Sequence, residues 1–175
     1  MAIVGVMGSG GEASKERALV LGRWLAHEHV HLLTGGGGGL MEAVSRAFHE
    51  TPGRSGKVIG ILPGIEAPRP ADPTPYPNPW VEIPIYTHLP LSGLDGTDTG
   101  SRNHINVLTS DVVIALAGGA GTASEVALAL RYERPVIAFL DSPDDIPNLP
   151  EVVPVESRFE AVQAFVRRAL GGRSE

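Results

Sequence analysis

Three segments of this chain share one order: an apolar run, a glycine-rich turn and then a helical pattern. The run at residues 111–117 predicts a strand buried on both faces of a sheet, residues 2–7 predict a short buried strand, and residues 29–34 predict the second strand. The glycines allow a positive φ and a close approach between a ligand and the backbone. The first N–H groups of the following helix have no partner within it and point at a common anion site. The three units are residues 2–27, 29–48 and 111–130.

Strands and helices alternate along the whole sequence, which predicts an α/β fold with a mainly parallel sheet. We expect one domain over residues 1–175, because the chain is too short for two cores of comfortable size. The first strand is expected at the centre of the sheet, and Pro84 implies that its strand lies at an edge or that the proline lies at a strand end. The predicted strands are residues 2–7, 29–34, 58–62, 81–85, 111–117, 135–140 and 152–155. The predicted helices are residues 14–27, 40–48, 101–108, 126–130 and 157–170.

Two long loops interrupt this pattern. Seven of the fifteen prolines fall between Pro63 and Pro79. Proline removes a backbone donor and fixes φ, so the stretch of about residues 63–80 is neither helix nor central strand. It is too long for a simple connection and is either a covering loop or a mobile one. A second polar loop over residues 86–100 leads to the helix that carries Arg102.

Composition limits the classes of partner. The net charge of −6 argues against a general affinity for nucleic acid or an anionic membrane, so any phosphate must be held locally. The chain has no cysteine, which excludes disulfides, thiolate metal sites and cysteine nucleophiles. No basic leader and no apolar run of membrane-spanning length is present, so we expect a cytoplasmic protein. His27, His29 and His31 alternate, but no carboxylate is placed to complete a zinc site, and we predict no metal.

The glycine turns at the carboxyl ends of the predicted strands form the candidate ligand site. Their spacing is not the Gly-x-Gly-x-x-Gly of dinucleotide enzymes, because Glu12 and Ala13 follow the first turn, so NAD is not expected. Two glycine turns at one sheet edge are stronger evidence for a phosphate site than one. The predicted phosphate-binding residues are Gly8, Ser9, Gly10, Gly35, Gly36, Gly37, Gly38, Gly39, Gly118, Gly119, Gly121, Thr122 and Glu125.

Glu125 has two interpretations. Thr122-x-x-Glu125 has the spacing of a capping box, with Thr122 as the N-cap and Glu125 reaching back to it. That role stabilises a helix by about 1 kcal/mol and needs no ligand. A helix start also faces the anion site, so Glu125 is equally a candidate to contact a ligand. Arg102 is likewise either a phosphate contact or one half of a surface salt bridge.

Three separated segments resemble one family. Residues 35–41 are similar to the Gly-Gly-x-x-Gly-Leu-Met loop of the LOG-type, or lysine decarboxylase-like, proteins, which adds Met41 to the candidate ligand site. Residues 118–125 are similar to the Pro-Gly-Gly-x-Gly-Thr-x-x-Glu signature of the same family, and Arg102 stands where the family has an arginine. Residues 101–111 and 122–130 resemble most the molybdenum cofactor carrier branch.

The resemblance implies a Rossmann-like, doubly wound fold of three αβα layers, usually in a homodimer or a pair of dimers. In the LOG branch it implies phosphoribohydrolase activity, the cleavage of the N-glycosidic bond of cytokinin nucleoside 5'-monophosphates, with Arg102 and Glu125 at the catalytic positions. In the carrier branch it implies a phosphate-bearing ligand, molybdopterin or the molybdenum cofactor, and no required cofactor. Ala117 replaces the signature proline and Asn103 replaces a basic residue of the hydrolases. Both branches keep the arginine and the glutamate, so both functions stay open.

Lysine decarboxylation itself is not expected. Lys15 and Lys57 are the only lysines of the chain. They stand at a predicted helix start and a predicted strand entry, so neither is placed like the lysine that forms a Schiff base with pyridoxal phosphate.

Overall fold

The computed structural model describes residues 1–9, 14–64 and 76–172. Within these residues seven strands form one sheet, and all neighbouring strands are parallel. The strands are β1 (Ile3–Met7), β2 (His31–Thr34), β3 (Val58–Leu62), β4 (Ile83–Tyr86), β5 (Val112–Ala115), β6 (Val136–Phe139) and β7 (Val155–Glu156). The helices are α1 (Lys15–His27), α2 (Leu40–His49), α3 (Asn103–Thr109), α4 (Ala120–Arg131) and α5 (Phe159–Gly171).

The strand order is β4-β3-β2-β1-β5-β6-β7, which confirms the predicted central position of β1. Val4 of β1 pairs with Leu32 on one side and with Val112 on the other, and all three are fully buried. β4 lies at the edge, where Pro84 pairs with Gly60. An edge strand accepts a proline because its outer side has no ladder hydrogen bonds to lose.

Helices cover both faces of the sheet. α1, α2 and α5 pack on one face through a core that includes Leu21, Phe48 and Val162. α3 and α4 pack on the other face through a core that includes Val107 and Leu128. This architecture confirms the predicted Rossmann-like, doubly wound αβα fold. No helix in the described parts of the chain is long and apolar enough to cross a membrane.

The last strand is shorter than predicted. It covers only Val155–Glu156, because the preceding residues form a turn in which the Val153 N–H donates to the Pro150 carbonyl at 2.9 Å. Val153 is buried in that turn. The apolar pattern of residues 152–155 therefore reflects the burial of a turn and not a four-residue strand.

The helix of the glycine signature is longer than predicted. It begins at Ala120 instead of residue 126, so Thr122 and Glu125 both lie inside it. Most of the predicted Pro-rich loop, residues 65–75, and Gly10 of the first glycine turn lie outside the described residues.

Candidate ligand-binding site

The carboxyl ends of β1 and β5 lie side by side at the centre of the sheet. The chain leaves β1 toward α1 on one face and β5 toward α4 on the other, so a crevice opens between them. A cavity of about 320 Å³ lies there. Eight of the predicted site residues line it, namely Gly8, Ser9, Met41, Arg102, Gly119, Gly121, Thr122 and Glu125. The lining residues that were not predicted are Met7, Ser92, Gly93, Leu94, Asn103 and Ala120.

The first turn of α4 supplies backbone donors to this cavity. Gly119 is the N-cap residue, and no side chain caps the helix. The first helical hydrogen bond runs from the Ala123 N–H to the Gly119 carbonyl at 3.0 Å. The N–H groups of Ala120, Gly121 and Thr122 therefore have no acceptor within the helix, and the helix dipole adds to their attraction for an anion.

The glycine N–H groups before α4 are already used within the protein. The Gly118 N–H donates to the Asp145 carbonyl at 3.1 Å, and the Gly119 N–H donates to Ser9 Oγ at 3.3 Å. The Ser9 N–H donates to the Ala117 carbonyl at 3.2 Å, which ties the two strand ends together. Gly118 itself does not line the cavity. The available anion-binding groups are those of the helix start and not those of the preceding glycines.

The five-glycine run of residues 35–39 packs against the loop that contains Tyr76 and Asn78. The Gly35 carbonyl accepts from the Tyr76 hydroxyl at 3.2 Å. The carbonyls of Gly36 and Gly37 accept from the backbone and side-chain N–H groups of Asn78, both at 2.8 Å. Gly36 has a φ of 74°, which a glycine adopts without strain.

Gly38 and Gly39 are the last two residues of this run and lead into α2, of which Gly39 is the N-cap residue. None of the five glycines lines the cavity, whereas Met41 in the first turn of α2 does. The run therefore contributes to the site by positioning α2 and, through Gly35, the arginine of the cavity.

Arg102 is buried, with 9% of its surface exposed. Its Nη1 donates to the Ile61 carbonyl, and its Nε is buried without a hydrogen-bond partner in the described residues. A Cβ on Gly35 would lie 2.5 Å from Nη1 and 2.7 Å from Nη2, so only glycine leaves room for the guanidinium. Its burial contradicts the interpretation as part of a surface salt bridge, and no carboxylate of the described residues lies within ion-pair distance of it.

Glu125 projects from α4 and is 8% exposed. Its Oε1 accepts a hydrogen bond from the Asn106 side-chain amide of α3 at 2.8 Å. It lies beyond the first turn of the helix and caps nothing, so the capping-box interpretation is wrong. Burial raises the pKa of Glu125, whereas the charge of Arg102 and the hydrogen bond from Asn106 oppose that rise. The cavity therefore contains the positive charge of Arg102 and a carboxyl group whose ionisation is disfavoured. This combination favours an anionic ligand, because Glu125 neutralises Arg102 less than an ordinary carboxylate would.

Three supporting residues were missed in the sequence. Asn106 holds Glu125, and Tyr76 and Asn78 hold the glycine run. Burial raises the pKa of the Tyr76 phenol, the Glu125 charge raises it further and the Arg102 charge lowers it, so all three groups share one electrostatic environment. Asn106 follows Arg102 by one helical turn, a spacing that could have indicated that both side chains lie on the same side of a helix. Tyr76 and Asn78 are distant from the motifs in sequence, so no pattern in the sequence indicated their role.

A larger cavity of about 440 Å³ lies between α1 and α2 and contains none of the predicted site residues. Arg23, His27, Arg46 and Glu50 are among its lining residues. His27 and Glu50 stand at the C-terminal ends of the two helices, where the helix dipoles disfavour an anion. The helix ends at this cavity therefore favour an anion less than the start of α4 does at the smaller cavity.

Two of the three alternating histidines, His29 and His31, have local partners. His29 Nδ1 lies 3.0 Å from Ser55 Oγ, and His31 Nδ1 accepts the Lys57 N–H at 3.0 Å. Across residues 1–9, 14–64 and 76–172, no three histidine, aspartate or glutamate side chains are grouped to hold a metal ion.

Comparisons with known proteins place these features in a family. A family model described as the SLOG cluster4 family matches residues 1–163. A molybdenum cofactor binding protein from Rippkaea orientalis has a similar structure, with 35% identity, 97% of both chains covered and a TM-score of 0.72. The molybdenum cofactor carrier protein from Chlamydomonas reinhardtii is 31% identical, with 98% of both chains covered and a TM-score of 0.71. A protein from Archaeoglobus fulgidus is 34% identical over 136 residues, which cover 76% of each chain. These similarities confirm the predicted resemblance to the LOG-type superfamily and its carrier branch.

Proposed function

We propose that this chain, which belongs to the SLOG cluster4 family, binds a phosphate-bearing pterin or nucleotide in the manner of a molybdenum cofactor carrier. One observation carries the proposal. The buried guanidinium of Arg102, which has no described carboxylate within ion-pair distance, lines the same cavity as the N–H groups at the start of α4, which have no acceptor within the helix. Burying an arginine without a counter-charge is costly, and an anionic ligand supplies that charge.

The proposed roles follow from the chemistry of the lining. The phosphate binds the N–H groups of Ala120, Gly121 and Thr122 and the charge of Arg102. Glu125 lies beyond the first turn of α4, and its carboxyl group forms a hydrogen bond with the part of the ligand that follows the phosphate. The chain has no cysteine, so the binding relies on phosphate contacts and hydrogen bonds and not on a thiolate bond to molybdenum.

A charge placed at the N-cap of α4 tests the phosphate site. Gly119 is exposed, its φ of −92° suits any residue, and a Cβ there has no atom within 4 Å. Gly119→Asp therefore leaves the fold intact, and as an N-cap aspartate it stabilises α4 by only about 0.2–0.5 kcal/mol relative to glycine. Its carboxylate repels a phosphate at the same place. Gly119→Asn has nearly the same shape without the charge and is the matched control.

The measurement is the melting temperature with and without saturating molybdopterin, adenosine 5'-monophosphate or inorganic phosphate. A ligand at 100 times its Kd stabilises the folded state by about 2.7 kcal/mol. We expect at least one phosphate compound to raise the melting temperature of the wild type and of Gly119→Asn, but not of Gly119→Asp. If no compound raises it in the wild type, or if all three proteins respond equally, the proposal is wrong.

Phosphoribohydrolase activity is the second candidate, because the same cavity contains a buried carboxyl, Glu125, beside an arginine. A carboxyl with a raised pKa is suited to proton transfer during glycosidic bond cleavage. The assay is release of free base from adenosine or cytokinin 5'-monophosphates. Glu125→Gln keeps an oxygen for Asn106 and is expected to abolish the release. Turnover that is absent in the wild type, or unchanged in Glu125→Gln, removes the hydrolase from consideration.

We also propose that the protein is a cytoplasmic homo-oligomer, a dimer or a tetramer. β4 supports this, since Ile83, Ile85 and Tyr86 are exposed on an edge strand of the sheet. Light scattering coupled to gel filtration measures the mass directly, and a mass equal to one chain contradicts the oligomer.

A further inference from the structure

The loop over residues 91–101 forms one wall of the cavity and is closed on itself. Leu91 and Ser101 pair as an isolated parallel bridge, and the Leu91 N–H donates to the Gly100 carbonyl at 3.2 Å. The Arg102 N–H donates to the Leu91 carbonyl at 3.2 Å, so the base of the loop is tied to the arginine of the site. Three further backbone hydrogen bonds lie inside the loop. Such a loop holds its shape through its own contacts.

The same loop is fixed to the two helices that form the site. His104 of α3 hydrogen-bonds to the Asp98 carbonyl through Nε2 at 2.9 Å, and its Nδ1 lies 2.6 Å from the Tyr132 hydroxyl. A Cβ on Gly96 would lie 1.9 Å from Ser124 Oγ of α4, so the loop backbone lies directly against that helix. Residues at the tip of the loop are therefore held in place over the cavity.

Leu94 occupies this tip, in a short 3-10 helix over Gly93–Asp95. It lines the cavity and is nevertheless 87% exposed, more than any other large hydrophobic side chain in the described residues. A single exposed leucine is ordinary on a protein surface. Here it stands on a loop with several backbone contacts, at the mouth of the cavity whose Arg102 and α4 donors are proposed to bind the polar part of a ligand.

We propose that Leu94 determines specificity by packing on the planar ring of the bound ligand. Met7 and Met41 line the same cavity, so its surface combines a phosphate-binding region with thioether and leucine side chains. Methionine and leucine make favourable dispersion contacts with a flat aromatic ring. The ligand class is therefore a phosphate ester that carries a heteroaromatic ring, and a sugar phosphate without a ring binds more weakly. This inference rests on the proposed function.

The test compares Leu94→Ser with the wild type by calorimetric titration of the full chain. Adenosine 5'-monophosphate, molybdopterin and ribose 5-phosphate are the probes, because the last carries a phosphate and no ring. Losing the apolar contact is expected to weaken each ring-bearing probe that binds by about 10-fold and to leave ribose 5-phosphate unchanged. Leu94→Met, which keeps an apolar side chain at this position, is expected to retain most of the wild-type affinity. Val152→Ser is the matched control, since Val152 is 73% exposed and does not line the cavity.

The outcomes separate this inference from the function on which it rests. Leu94 is exposed, so its replacement alters the free energy of unfolding little, and a loss of binding is not a loss of folding. If the wild type binds ring-bearing probes and Leu94→Ser binds them equally well, the inference is wrong and the proposed function stands. An equal loss for ribose 5-phosphate also overturns it. If the wild type binds none of the probes, the proposed function fails and this inference fails with it.

Discussion

Gly36 provides the sharpest test of how the five-glycine run is packed. Alanine at this position meets two penalties that can be calculated separately. Its φ of 74° lies in the left-handed region, which costs an L-residue about 1–2 kcal/mol. Its Cβ would lie 2.4 Å from Cδ2 of Leu62, a fully buried side chain. Forcing an extra carbon into a packed core costs about a further 1–3 kcal/mol.

Gly53 is the matched control for Gly36. Its φ of 77° is nearly the same, but a Cβ there has no atom within 4 Å. Gly53→Ala therefore meets only the backbone penalty of about 1–2 kcal/mol. The reduced entropy of the unfolded chain favours both alanine variants equally and cancels from the comparison. We expect Gly36→Ala to lower the free energy of unfolding by about 2–5 kcal/mol, and by more than Gly53→Ala does.

Urea unfolding followed by circular dichroism measures both variants, with the slope against denaturant as a check on two-state behaviour. The double variant Gly36→Ala/Leu62→Ala isolates the packing contribution, because removing Leu62 relieves the clash. Its destabilisation is expected to be smaller than the sum of the two single effects by about 1–3 kcal/mol. Equal destabilisation by Gly36→Ala and Gly53→Ala, or strict additivity of the double variant, would refute the packing of Gly36 against Leu62.

Two further predictions concern carboxyl groups. Burial raises the pKa of Glu125, so the folded state binds its proton more tightly, and this contribution to stability is lost as pH rises above 4.5. We compare the free energy of unfolding of Glu125→Gln with that of the wild type at two pH values. The difference is expected to favour the variant more at pH 7.5 than at pH 4, and the opposite trend contradicts the raised pKa. Glu82 is the reverse case, since hydrogen bonds from Arg54 and Lys57 overcome desolvation and lower its pKa from 4.5 to about 2. The ionised Glu82 stabilises the folded state by at most about 3 kcal/mol, or about 1–2 kcal/mol after screening by water. This contribution is present above pH 4.5 and is lost as pH falls toward 2. Glu82→Gln should be less stable by that amount at pH 7 in thermal unfolding, with a flatter acid dependence; an unchanged acid profile rejects this role.

Local patterns in the sequence were sufficient for the architecture. The apolar runs before the glycine turns predict buried parallel strands, and the spacing of Ala18, Leu21, Trp24 and Leu25 predicts one face of α1. The structure buries Ala18, Leu21 and Leu25 fully and packs a partly buried Trp24 against the same core. Pro84 limited its strand to an edge or a strand end, because a missing donor is tolerated there, and the structure shows the edge. These properties depend on residues within a few positions of each other, so they are readable without a structure.

The partner of each polar group was decided only by the tertiary structure. Glycine turns in the sequence imply free N–H groups, yet the Gly118 N–H donates to the Asp145 carbonyl and the Gly119 N–H donates to Ser9 Oγ. Glu125 has the spacing of a helix cap, but the helix begins earlier and the carboxyl pairs with Asn106 instead. Hydrogen bonding and burial depend on groups that are distant in the chain, and the pKa of Glu125 depends on both.

The sequence by itself therefore determined a doubly wound sheet with glycine turns at one edge and an arginine near them. The tertiary structure decided that this arginine is buried, because Gly35 leaves room for its guanidinium, and that the first turn of α4 provides the free donors. It also placed Leu94 at the mouth of the cavity. The physical reason is that a ligand site consists of the donors, charges and apolar surfaces that remain without partners after folding. Which groups these are depends on contacts between residues that are distant in the sequence.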